Sequence, residues 1–306
     1  MNTTKIGWIG LGKMGIPMST QLIKAGYPVT VYNRNKEKAK SLEIAGAKIA
    51  SSPRELIQQS AVILIMVTDD QAIREIFIND DGLLSAKTTG KVIINMSTVS
   101  PEISREMALL CNMQSNHYLD APVSGSVKQA EDGGLVIMVG GEEKIFQETK
   151  PILECIGKLA MLVGPHGAGN VAKLAINTLL AFHAQGLAEA VVFARQNKIK
   201  TEDLLKLINN SALGNAFSKI KGDAIIQNNY QAAFALKHIA KDLRLAKGEG
   251  LTTPLAEVVF QTFQQAEPIF GEEDIIAVIK QINPAQMIAT RPKDSRYQQS
   301  QLHAEN

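Results

Sequence analysis

Neither sign of charge is in excess in this 306-residue chain: 32 basic residues stand against 30 acidic ones, a net charge of +2. There is no block of five or more basic residues. That excludes the usual signature of a nucleic-acid partner or an anionic membrane surface. Cysteine is scarce, with only Cys111 and Cys155. Two widely separated thiols do not make a disulfide framework. They fit a reducing, cytoplasmic setting in which both are inert. The five histidines, His117, His166, His183, His238 and His303, lack metal-ligand spacing, so no metal is expected. No secretory signal is read at the start, because the chain runs straight into a strand-like Lys5-Ile-Gly-Trp-Ile9. A long uninterrupted apolar run is also missing. The stretch 171–194 is broken by Lys173, Asn177, His183, Gln185 and Glu189, which reads as a buried helix rather than a membrane span.

What is present is ample core material: 45% of residues are hydrophobic and 20% charged, ordinary for a globular protein of two domains. The first half alternates strand and helix signals. Apolar or β-branched runs at Ile6–Ile9, Val29–Tyr32, Ala61–Val67, Lys91–Asn95, Tyr118–Asp120 and Leu135–Val139 alternate with helical patterns. This predicts a doubly wound α/β domain with a buried parallel sheet. Beyond residue 163 the strand signals stop. Ala168–Asn197 reads as one helix, roughly 45 Å long at 1.5 Å per residue. Further helices are predicted over about 201–210, 213–226, 231–248, 253–266 and 273–281. The expected layout is a dinucleotide-binding domain over 1–163, an all-helical substrate and dimerisation domain over 164–290, and a frayed tail over 291–306. A helix so long and apolar points to a homodimer or homotetramer.

The segment Gly10-Leu11-Gly12-Lys13-Met14-Gly15 follows the first strand and enters the first helix. Its spacing is G-x-G-x-x-G. The first glycine makes the tight turn, the second admits a pyrophosphate to the backbone, and the third lets helix pack on strand. The helix N-terminus adds free N–H groups and partial positive charge. The second strand ends Tyr32-Asn33-Arg34-Asn35, with no acid to bind a ribose 2′-hydroxyl. Arg34 suits a 2′-phosphate instead. NADP(H) is therefore the expected cofactor, with NAD(H) the alternative if Arg34 only stacks on adenine.

Chemistry is expected elsewhere. Lys173 and Asn177 are four residues apart, so they share a face of the long apolar helix. An ammonium there needs a reason, since burying it without a partner is costly. Reduction of a carbonyl supplies one: negative charge builds on the oxygen as hydride arrives, and a lysine can neutralise and protonate it. Ser124 and Gly125, in a turn after the Tyr118–Asp120 strand, present a hydroxyl and backbone N–H groups suited to a carboxylate. Thr98 follows another strand end, where open α/β sheets bind ligands.

Four motifs in order, the Gly10–Gly15 loop, Asp120-Ala-Pro-Val-Ser124-Gly125, Gly167-x-Gly-x-x-x-Lys173-x-x-x-Asn177 and Lys241-Asp242-Leu, resemble the β-hydroxyacid dehydrogenase family. The resemblance spans about residues 5 to 284. It implies a Rossmann domain followed by an all-α domain, with Lys173 as catalytic lysine and Asn177 orienting the substrate beside it. Ser124 and Gly125 would hold the substrate carboxylate, and Ser126 would complete the substrate-binding turn, standing where the family commonly has a second glycine. A positive φ at that position would strain the serine. Phe234 and Asp242 would line and support the site. Met66, Val67, Thr68, Thr98 and Lys241 would contact the cofactor. The Phe234–His238 run and the Asn33-Arg34 tip are most similar to the glyoxylate/succinic semialdehyde reductase branch.

The function implied is NADPH-dependent reduction of a small aldehyde acid to the hydroxyacid. The same chemistry run oxidatively on 3-hydroxyisobutyrate with NAD is the alternative. A non-catalytic nucleotide-binding assembly module is a third reading, against which Lys173 itself argues.

Overall fold

The computed structural model describes residues 3–282, so the tail expected over 291–306 lies outside the described residues. The chain separates into two compact units. Among the described residues the first comprises 3–177 with Asp242–Leu251, and the second Thr178–Lys241 with 252–282.

The first unit is built on nine strands: β1 (Ile6–Ile9), β2 (Val29–Tyr32), β3 (Lys48–Ile49), β4 (Val62–Ile65), β5 (Val92–Asn95), β6 (His117–Asp120), β7 (Val123–Ser124), β8 (Leu135–Gly141) and β9 (Gly157–Gly164). Their order is β3-β2-β1-β4-β5-β6-β8-β7, with β9 also on β8. The β3 to β6 section is parallel throughout, and β8 runs antiparallel to β6 and β7. Between the strands come α1 (Gly15–Lys24), α2 (Lys40–Ile44), α3 (Pro53–Gln59), α4 (Asp70–Ile78), α5 (Pro101–Met113), α6 (Val127–Glu131) and α7 (Glu143–Leu153).

Strand residues alternate between two apolar layers, as a sheet covered on both faces requires. Trp8, Leu64 and Ile94 face a layer shared with Met18 and Leu22 of α1. Ile9, Ile65 and Ile93 face another, shared with Leu56 of α3, Phe77 of α4 and Met107 of α5. Side-chain caps start α3, α4 and α5: Ser52, Asp69 and Ser100 accept the N–H of Glu55, Ala72 and Ile103. Cys111 is buried in this core and burial pushes its thiol up to about 12, while Cys155 is half-buried; both are free thiols.

The long helix α8 (Ala168–Gln196) belongs to both units, which divide within it after Asn177. The change from strands to helices falls at Gly164, where β9 ends, but the first turns of α8 are anchored to the sheet. Among the described residues α8 is the helix long and apolar enough to cross a membrane, yet half of its most apolar window is buried by the protein itself. Its buried residues include Lys173, Asn177 and Gln185. That is the pattern of a core helix.

The second unit is helical: α9 (Thr201–Asn209), α10 (Ala216–Ile226), the first residues of α11 (Leu236–Gly248), α12 (Pro254–Phe270) and α13 (Val278–Ile282). The helix expected from residue 231 begins later, at Leu236. Asp274 holds the preceding loop out of the helix, through a bridge to Ala235 and carboxylate contacts to the N–H groups of Ala233 and Phe234. The Lys221 ammonium meets the two Asp274 oxygens at 2.7 and 2.8 Å, in a pair only 10% and 3% exposed.

Candidate active site

The parallel register brings several expected ligand-binding segments to one edge of the first unit. Ile9 pairs with Ile65, Ile65 with Asn95, and Asn95 with Asp120. The segments that follow, Gly10–Gly15, Met66–Thr68, Met96–Thr98 and Ala121 onward, therefore leave from the carboxyl end of the sheet.

At this edge the glycine loop has the shape a pyrophosphate needs. Gly10 has φ +97°, and a Cβ there would lie 2.1 Å from the Met66 carbonyl oxygen. A Cβ on Gly15 would lie 2.0 Å from the Gly10 oxygen, so helix and turn touch there. Around Gly12, by contrast, nothing lies within 4 Å of the position a Cβ would take. The Trp8 indole N–H fixes the turn by donating to the Gly10 oxygen at 2.9 Å. The backbone N–H groups of Gly12, Lys13 and Met14 make no hydrogen bond to another described residue, and α1 has no side-chain cap. Open space over the middle glycine and uncommitted donors fit a dinucleotide pyrophosphate.

Several expected cofactor residues are engaged within the protein. Leu11 is core, and its N–H donates to Asn33 Oδ1 at 2.9 Å. Asn33 Nδ2 in turn donates to the Asn35 carbonyl. Asn33 thus braces the tip of β2 against the glycine loop. Arg34 projects outward, 85% exposed, with Nη1 3.6 Å from Glu75 on α4. Met66 and Val67 are half-buried, and Val67 donates its N–H to Ser97 Oγ at 2.9 Å. The Thr68 hydroxyl donates to Asp69 at 2.8 Å. Thr98 is half-buried beside them in the β5–α5 loop.

The segment carrying Lys173 is held to the same edge by residues the sequence reading did not single out. Asp120, 0% exposed, accepts the N–H of Gly167 at 2.7 Å and of Asn170 at 3.0 Å. A carboxylate at the end of β6 thus satisfies the N-terminus of α8. Burial pushes the Asp120 pKa up, against the downward pull of those N–H bonds. Asn170 reaches back with its side chain: its oxygen accepts the Val99 N–H at 3.1 Å and its amide donates to Ser104 at 3.1 Å. A Cβ on Gly169 would lie 2.4 Å from the Met138 oxygen, so glycine lets the helix start flush against β8. The readable signal was spacing. Asn170, Lys173 and Asn177 fall at i, i+3 and i+7, one face, and are 0%, 9% and 2% exposed.

Along this face Asn177 donates its side-chain N–H to Asp242 at 2.5 Å, joining α8 to the part of α11 in the same unit. Asp242 is buried. Phe234 and Lys241 belong to the second unit, where Phe234 stacks on His238 at 5.9 Å between ring centroids.

The Ser124–Ser126 turn departs from expectation at its last residue. Gly125 has φ +147°, a conformation that glycine tolerates and other residues rarely adopt. Ser126 has φ −88°, so the strain a serine would feel at positive φ does not arise. Instead Ser126 caps α6 in a capping box: its N–H donates to Gln129 at 2.5 Å, and its hydroxyl accepts the Gln129 N–H. The polar groups of Ser126 are thus used within the turn. The Ser124 hydroxyl is half-buried and makes no hydrogen bond among the described residues. No cluster of three or more His, Cys, Asp or Glu placed for a metal occurs among the described residues.

Residues 5–164 match the family described as the NAD binding domain of 6-phosphogluconate dehydrogenase, and residues 167–282 that described as NAD-binding of NADP-dependent 3-hydroxyisobutyrate dehydrogenase. Together with the open glycine loop, this defines a nicotinamide-dependent oxidoreductase. The chain is 34% identical over 284 residues to a probable 3-hydroxyisobutyrate dehydrogenase-like 3, mitochondrial, of Arabidopsis thaliana, covering 92% of this chain and 88% of that one. It is 33% identical over 283 residues to glyoxylate/succinic semialdehyde reductase 1 of the same plant, covering 91% and 98%. Among solved structures, the 3-hydroxyisobutyrate dehydrogenase of Mycobacterium tuberculosis with L-serine superposes with a TM-score of 0.84 at 27% identity, covering 92% and 99%. The chain belongs to the β-hydroxyacid dehydrogenase family and is an NAD(P)-dependent hydroxyacid dehydrogenase or reductase.

Proposed function

We propose that the protein reduces small aldehyde acids, of the glyoxylate or succinic semialdehyde kind, with NADPH, and that Lys173 is the proton donor. The observation that carries this reading is the buried Lys173, on a helix whose start Asp120 ties to the edge bearing the glycine loop. The bound cofactor supplies hydride from C4 of its nicotinamide to the carbonyl carbon. The Lys173 ammonium stabilises the growing charge on the carbonyl oxygen and passes it a proton, then regains one from solvent. In the oxidative direction neutral Lys173 takes the hydroxyl proton. Asn177, steadied by Asp242, orients the substrate oxygen beside the lysine. Ser124 and Gly125 bind the substrate carboxylate, in a turn closed by the Ser126 capping box. For Phe234 and Lys241 the family resemblance alone supports a role.

Arg34, exposed at the β2 tip with no acid beside it in sequence, supports NADP(H). The Arg34–Glu75 contact favours the second reading, oxidation of 3-hydroxyisobutyrate with NAD, because part of the arginine's charge is already answered. Exposed Ile176, Leu179 and Phe193 on α8 support assembly as a homodimer or homotetramer. The two free thiols support a cytoplasmic setting. The test is a panel of short semialdehydes and hydroxyacids assayed with both cofactors. The reading expects the highest kcat/KM for a semialdehyde with NADPH. A strong preference for NAD and 3-hydroxyisobutyrate would replace it with the second reading.

A further inference from the structure

The side chain facing Arg34 comes from a helix that the family motifs do not include. Glu75 lies on α4, and its Oε2 is 3.6 Å from the Arg34 guanidinium. Its Oε1 accepts a hydrogen bond from Gln71, one turn earlier, at 3.0 Å. The neighbouring cation on α4, Arg74, is directed to Glu106 on α5 at 2.5 Å. Gln71 therefore steadies the Glu75 carboxylate with one oxygen turned to Arg34. Glu75 is 38% exposed at its side chain, against 85% for Arg34, so the acid is the better-held partner.

We infer that Glu75 is a specificity-determining residue for the cofactor: it holds Arg34 and weakens capture of a ribose 2′-phosphate, while leaving a 2′-hydroxyl dinucleotide unaffected. The inference rests on the reading of Arg34 as the 2′-phosphate contact. A phosphate monoester carries about −1.5 to −2 charges at neutral pH. To pair with it, Arg34 must turn from one anion to another, and Glu75 then repels the newcomer. A dinucleotide without that phosphate brings no second anion to Arg34, and stacking on adenine does not require the arginine to leave Glu75. Exposed ion pairs are weak and screened by salt, so the effect is a tuning of preference rather than a switch.

The test uses the full chain as wild type, Glu75→Gln, Arg34→Ala and the double variant. Dissociation constants are measured for 2′,5′-ADP by calorimetry, and for NADPH and NADH by fluorescence. Glu75→Gln is expected to tighten 2′,5′-ADP and NADPH by roughly three- to fivefold at low salt. NADH should be unchanged, and the gain should vanish when Arg34 is also alanine. Equal effects on NADPH and NADH, no effect on either, or a gain that persists without Arg34 would overturn the inference. If Arg34→Ala weakens 2′,5′-ADP while Glu75→Gln is silent, Glu75 alone loses its role. If Arg34→Ala leaves 2′,5′-ADP unchanged, the 2′-phosphate reading itself fails and takes the inference with it.

Discussion

Asp120 accepts the backbone N–H of Asn170 at 3.0 Å, and so fastens the first turn of α8 to the end of β6. Its other oxygen takes the Gly167 N–H at 2.7 Å. Lys173 stands one turn further along. The position of the proposed proton donor is thereby set by the sheet rather than by a loop, which suits a group that must meet a substrate oxygen within hydrogen-bond reach.

Asp120→Asn turns an amide NH2 toward backbone donors, so one of the two bonds is replaced by a donor–donor clash. A loss of about 2–4 kcal/mol in stability is expected, read from urea unfolding at neutral pH. The pH dependence has a definite sign. Because burial raises the folded-state pKa of Asp120, the folded protein keeps the proton longer than the unfolded chain. The proton-linked part of this group's contribution is complete below the ordinary carboxylate value and is lost as pH rises through the folded value, while the bonds to Gly167 and Asn170 remain and are what the neutral-pH comparison reads. The stability of wild type minus that of Asp120→Asn should fall with rising pH across that window. A difference that rises instead would contradict the account of Asp120.

The Lys221–Asp274 pair gives a second stability test in the other unit. Lys221→Met leaves a buried carboxylate still bonded to the N–H groups of Ala233 and Ile276. Those remaining donors hold the cost toward the lower end for a broken buried pair, about 2–4 kcal/mol. An unfolding midpoint unchanged from wild type would show that the pair contributes nothing.

Cys111 and Cys155 separate by burial. With its thiol pushed up to about 12 and 0% of its surface exposed, Cys111 should resist maleimide in the native protein. Mass spectrometry should find at most one label per native chain, on Cys155, and two after denaturation. Rapid native labelling of Cys111 would contradict the packing of α5 on the sheet.

Much of this architecture was legible in the chain. Ala61–Val67 announces a central parallel strand because it is apolar without alternation, and its middle, Val62–Ile65, is buried on both faces. The glycine loop was legible because its spacing encodes a geometric need. Two things were hidden for the same reason, that they depend on distant partners. Asp120 looked like one residue of a turn motif, and its role follows only from Gly167 and Asn170, at 47 and 50 residues' separation. The stretch 231–235 has helical composition but is kept out of the helix by Asp274, whose carboxylate takes the N–H groups of Ala233 and Phe234 across 41 and 40 residues. Ser126 is a milder case: the capping box with Gln129 is present in the sequence as S-x-x-Q, inside a motif whose glycines are its more prominent feature.

Asn177 shares its hydrogen bond with Asp242 at 2.5 Å, and Asn177→Ala removes the amide without touching the glycine loop. A fall in kcat of about tenfold or more, with NADPH affinity within roughly threefold of wild type, is expected from steady-state kinetics and fluorescence titration. A rise in the NADPH dissociation constant with kcat unchanged would move Asn177 from substrate orientation to cofactor binding.

The central claim is that Lys173 gives the proton. Its most direct test is Lys173→Ala, with semialdehyde turnover and NADPH binding measured on the same folded preparation. The account expects turnover to fall by about a hundredfold or more while NADPH binds as in wild type. Turnover within a few-fold of wild type would contradict it.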